Sequence, residues 1–177
     1  VIGERERGSL DLLLSLPLTK LELLLGKYLG LAAALAFSTV AGFGLVGVVL
    51  SYGIGLTGLL DYAGFILSTL LMGLAFLSFA LLLSVLATSK VVASGAAIAL
   101  WFFYVLVYDL ILLGMLVVTE GQYVGSLFPI LLLLNPADIF RILNIFSLEE
   151  VKSLYGLATV FPATLASPWL LGGAMLF

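Results

Sequence analysis

Few side chains in this sequence can do chemistry, and their placement is uneven. There is no cysteine and no histidine. That excludes disulfides, thiolate nucleophiles, imidazole ligands and His-based proton transfer. Glu4, Arg5, Glu6 and Arg7 form an alternating charged run. Asp109 is the one acid well inside an apolar stretch, with Tyr108 beside it and Tyr104 about one and a half helical turns away. An intramembrane carboxylate is costly to bury, so Asp109 is either polar glue in a helix bundle or part of a transport pathway with Tyr104. Asp138 and Arg141 lie three apart and would share one helix face. They can form a local ion pair there or meet a partner protein. Met72, Met115 and Met175 raise the question of copper(I), for which thioethers are suitable ligands. They fall on separate segments with no Met-x-x-Met pair, which favours packing. No metal site is expected.

The elements that carry these residues follow from composition. Hydrophobic residues make up 63% of the 177, charged residues only 10%, and the mean hydropathy is +1.32. Soluble domains carry about a quarter charged residues. Here the apolar stretches are long enough to cross a hydrocarbon core, which takes about 20 residues. The expectation is an all-α, polytopic transmembrane bundle forming one domain over 1–177. Complete spans are placed at 28–52, 62–86 and 91–118, and a partial one at 168–177. The chain starts without Met and stops in an apolar run, so both ends are read as truncated. Gly26 and Gly30, then Gly42, Gly44 and Gly47, are candidates for close helix approach.

Residues 1–27 are amphipathic rather than spanning. Ser9 is a candidate N-cap for a short helix over 10–16 that Pro17 ends. Thr19 to Glu22 has the form of a capping box and should start a helix that runs on into the first span. Gly53 to Asp61 reads as a turn. Residues 119–167 form a longer, more polar loop. Within it, Leu127 to Leu134 is too short to cross and suits a re-entrant or interfacial helix. Asn135-Pro136-Ala137-Asp138 reads as a helix start, and Ser147 to Glu150 as a second capping box. Arg5, Arg7, Lys20, Lys27 and Lys90 fall on one side of this topology, Arg141 and Lys152 on the other. The more basic side is expected to be cytoplasmic, and 119–167 periplasmic or external.

The stretch Glu4-Arg5-Glu6-Arg7-Gly8-Ser9-Leu10-Asp11-Leu12-Leu13-Leu14-Ser15-Leu16-Pro17-Leu18-Thr19, continuing through Gly26-Lys27-Tyr28-Leu29-Gly30, resembles the cytoplasmic loop of ABC-2 type permeases. The resemblance implies a short helix that rests in a groove of an ATPase subunit. Leu10, Leu13 and Leu14 would supply its apolar face, Glu4 to Arg7 its charges and Pro17 its break. The rival is a helix lying on lipid, against which the mixed acids and bases argue. The resemblance also implies six spans in the intact subunit, a dimer of permease chains with two ATPase chains, and a bacterial or archaeal inner membrane. No G-x-x-x-x-G-K-[ST] string is present, so ATP and magnesium are expected on the partner; the chain itself is expected to need no cofactor and to catalyse nothing.

A second stretch, Leu131 to Asn144 with Ser147 to Thr159 after it, resembles permeases of the ABC transporters that serve nitrous oxide reductase and multi-copper enzyme maturation. It implies that Asn135, Asp138 and Arg141 contact a periplasmic accessory protein. Other readings are an exporter of lipid, peptide or drug, an ion-driven secondary transporter, and a membrane assembly scaffold. No nucleic-acid partner is expected.

Overall fold

A computed structural model describes residues 2–15, 17–53, 55–120 and 128–147. Their regular structure is helical: α1 (Ile2–Glu6), α2 (Ser9–Leu14), α3 (Lys20–Leu50), α4 (Gly55–Leu86), α5 (Lys90–Phe102), a π-helical stretch (Phe103–Val107), α6 (Tyr108–Val118), α7 (Phe128–Leu133) and α8 (Pro136–Ser147). Three segments are long and apolar enough to cross a membrane, Lys20–Leu50, Gly58–Leu86 and Lys90–Val118. Apolar residues such as Phe37 and Leu45 stay more than 70% exposed on them. Helices apolar on every side belong in lipid, and this is a multi-pass membrane protein.

The start of α3 is built as its sequence demands. Thr19 Oγ1 accepts from the Glu22 amide at 3.2 Å, and Glu22 Oε2 accepts from the Thr19 amide at 2.7 Å. Each side chain satisfies a donor the helix end leaves over. Ser9 behaves differently from the expected cap: it is the first residue of α2, and its hydroxyl donates to the Glu4 carbonyl at 3.3 Å. The expected 10–16 helix stops at Leu14, short of Pro17. The 53–61 turn is shorter than expected, because α4 already starts at Gly55, whose positive φ of 65° suits glycine.

α3 and α4 are antiparallel neighbours, and only part of the glycine pattern serves their contact. A Cβ on Gly47 would stand 3.0 Å from the Tyr62 ring, and one on Gly73 would stand 3.1 Å from Leu35. Gly26, Gly30, Gly42 and Gly44 have open space instead, so they permit no close approach within the described residues. Tyr62 locks the pair by donating to the Phe43 carbonyl at 2.9 Å.

α7 and α8 descend into the bundle. Ile139 of α8 is 1% exposed and packs against Leu71 and Met72, the latter at the midpoint of the Gly58–Leu86 span. Asn135, between the two helices, reaches Tyr104, the midpoint of the Lys90–Val118 span. From there α8 climbs along α4, with Phe140 against Phe65 and Asn144 bonded to Ser68 at 3.1 Å. The two helices thus form a re-entrant hairpin, tolerated at this depth because protein covers the non-helical joint at Asn135, 0% exposed. The loop expected at 119–167 is therefore not all outside the spans. The Ser147–Glu150 capping box, Lys152 and the partial span at 168–177 lie outside the described residues.

Candidate functional site

Two polar centres stand out on this apolar frame. The first is at the basic end of the bundle, the end that carries Lys20 and Lys90. α1 is seated there: Ile2 is 5% exposed, and its amide donates to Ser84 Oγ of α4 at 3.3 Å. Glu4 pairs with Lys27 of α3. Glu6 Oε1 accepts from the Lys90 amide, the first of α5, at 2.6 Å. Ser89 Oγ accepts from the Val92 amide at 3.3 Å, so the α5 N-terminus has two caps, one from its own turn and one from α1. A carboxylate there also meets the positive end of the helix dipole. Gly8, at φ 70°, turns the chain from α1 into α2, a backbone conformation that a side chain would strain.

Arg5, Arg7 and Pro17 are exposed, and Leu10 and Leu13 are half-buried. Leu14 lies in α2, but its side chain is outside the described part. Of the expected docking residues, Glu4, Arg5 and Glu6 lie on α1, Arg7 in the turn after it, Leu10, Leu13 and Leu14 on α2, and Pro17 beyond both; α1 is tied to α3, α4 and α5 at once.

The second centre is at mid-span. Arg141 Nη1 donates to Asp109 and, at 3.0 Å, to Asp138 Oδ1. Its Nη2 donates to the Val105 carbonyl at 3.2 Å. Asn135 is fully buried: Nδ2 donates to the Tyr104 carbonyl and to Asp138 Oδ2, each at 2.9 Å, while Oδ1 accepts from the Ala137 amide at 3.0 Å as the N-cap of α8. Tyr108 Oη donates to the Leu131 carbonyl at 2.7 Å. Tyr104 stacks on Phe79 with ring centroids 5.6 Å apart.

The π stretch makes this junction. Its turn is wider than an α turn, with the Tyr108 amide bonding back five residues to the Phe103 carbonyl. Such an interruption disturbs the helical ladder and opens carbonyls to outside donors. Here the two carbonyls taken up are those of Tyr104 and Val105, and both donors come from the hairpin. No buried side-chain nitrogen or oxygen among the described residues lacks a partner.

The structure therefore gathers Tyr104, Asp109, Asn135, Asp138 and Arg141, which the sequence divides between a pathway and a partner contact. The expected local pair of Arg141 with Asp138 occurs, and beside it stands a long-range pair with Asp109 that the sequence does not suggest. Asn135 and Asp138, 0% and 4% exposed, offer little surface to another protein. Asp109 and Arg141 keep 37% and 41% of their side chains open. Sequence reasoning missed α1 as an element, the π stretch and the Ser68–Asn144 bond. Two separate signals pointed at the second centre, the acid among aromatic residues at 101–109 and the Asn135–Asp138–Arg141 string, and nothing in the sequence joins them. Met72 packs on Ile139, and Met175 lies outside the described residues.

A family model described as ABC-2 family transporter protein matches residues 1–172. The chain is 40% identical over 178 residues to a protein of Stutzerimonas stutzeri named probable ABC transporter permease protein NosY. It is 42% identical over 176 residues to a protein of the same name from Pseudomonas aeruginosa. Each match takes in 96% of this chain and 64% of the relative, so the chain spans just under two thirds of the length of the curated relatives it matches.

Proposed function

This chain belongs to the ABC-2 family of transporter proteins, and we propose that it is the membrane-spanning permease part of an ATP-driven transporter whose ATPase is a separate subunit. The observation that carries this reading is the seating of α1–α2. A coupling element has to be firmly joined to the spans it moves and still offer a face to its partner. α1 is bonded to α3, α4 and α5, while Arg5, Arg7 and parts of Leu10 and Leu13 remain open. The basic end is then cytoplasmic, in keeping with the positive-inside rule. ATP and magnesium bind the partner, and this chain performs no chemistry of its own.

The intact assembly in this reading is a homodimer of permease chains with two ATPase chains, in the inner membrane of a bacterium or archaeon. Likeness to relatives named NosY supports a role in maturing a copper enzyme such as nitrous oxide reductase, with an accessory protein on the outer side. Leu10→Asp combined with Leu13→Asp places charge on the α2 face and should abolish co-purification with the ATPase. Undiminished co-purification and transport would sink the coupling role.

A further inference from the structure

The four charged residues at the start of the chain do not all face the same way. Glu4 and Glu6 bond inward, to Lys27 and to the first amide of α5. Arg5 and Arg7 are exposed, and among the described residues neither pairs with a carboxylate. Lys20, at the start of α3, is exposed too. Glu6 and Glu22 are exposed as well, but each carboxylate accepts from a backbone amide, so among the described residues here Arg5, Arg7 and Lys20 are exposed charges that no carboxylate meets.

We propose that the run is divided in function: Glu4 and Glu6 brace α1 against the spans, whereas Arg5 and Arg7 receive an acidic patch of the ATPase subunit. This rests on reading α1–α2 as the docking element. Anionic lipid is the rival for the arginines, and the structure argues against it. A helix that lies on a membrane inserts a broad apolar face opposite its basic one. α1 and α2 are five and six residues long, and the apolar anchor of α1, Ile2, is spent against α4. The arginines of such an element are better matched to fixed carboxylates on a protein, where guanidinium and carboxylate can pair two bonds at a time. Exposed pairing of this kind speeds and orients docking, and it weakens as salt rises.

The test measures affinity between the full-length protein, in nanodiscs of neutral phosphatidylcholine, and its purified ATPase subunit. Reversing both arginines (R5E with R7E) should weaken binding by about tenfold or more at low salt, leaving thermal stability in place. Wild-type affinity should fall as salt rises from about 0.05 M to about 0.5 M. Glu4→Gln with Glu6→Gln should keep affinity within about twofold while lowering thermal stability. Binding by the reversed variant at wild-type strength overturns the proposal. So does a loss seen only in discs containing anionic lipid, or an equal loss in the glutamine variant. A wild-type protein that does not bind the ATPase overturns the docking reading itself and this division with it.

Discussion

The Glu4–Lys27 pair and the Arg141–Asp109–Asp138 cluster both join a basic side chain to carboxylates, but their surroundings differ. Lys27 and Glu4 are half-buried, and what separates them from the second pair is their place at the basic end of the bundle, near water rather than at the middle of a span. Arg141 stands between two carboxylates and bonds the Val105 carbonyl next to the midpoint of the Lys90–Val118 span, with Asp138 only 6% open. In water a lost partner is replaced by solvent, and exposed pairs contribute about 0–1 kcal/mol. In the bilayer nothing replaces it, and a stranded charge costs several times more. The comparison teaches that the first centre, braced by several separate bonds, tolerates the loss of one better than the second, which holds the hairpin in place.

The comparison is tested most severely at Arg141. Arg141→Leu leaves two carboxylates facing each other at mid-span and should cost about 3 kcal/mol in denaturant unfolding of the purified protein. Adding Asp109→Asn and Asp138→Asn should restore much of that loss. A small effect of the single variant would show that the cluster is as replaceable as the Glu4–Lys27 pair. Asn135→Ala comes next, at about 1–2 kcal/mol, since it removes the α8 cap and leaves Asp138 and the Tyr104 carbonyl each a donor short. Its signature is faster hydrogen exchange in α8 with α3 unchanged. Glu6→Ala should cost least, below about 1 kcal/mol, because Ser89 still caps α5 and water reaches the end. Faster exchange of the Lys90 amide alone would be its mark. Should Glu6→Ala cost as much as Arg141→Leu, the distinction between the two centres is lost.

Legibility followed the range of the interaction. The Thr19–Glu22 box and the Asn135 cap are short-range and can be read as strings. The three spans are compositional, so their hydropathy declares them. The Asp138–Arg141 pair lies within one helical turn, so its spacing alone suggests it. The Asp109–Arg141 pair is 32 residues long-range and depends on how deep the hairpin sits, which no local pattern encodes. The glycines show the same limit: Gly44 and Gly47 look alike in sequence, and only the position of Tyr62 separates them. Glu4 and Glu6 read as partner-facing charges until α1 is placed beneath Lys27 and Lys90.

The π stretch has a further consequence as a phase marker. Relative to an unbroken α-helix, a π turn carries one residue more, and one residue is worth about 100° around the axis. Everything from Tyr108 onward is therefore rotated by that amount relative to α5. Deleting a single residue within 103–107 would return the span to plain helix and swing Asp109 off the Arg141 bearing. The inner and outer halves of this span are in effect two separately aimed surfaces on one rod, and the widened turn sets the angle between them.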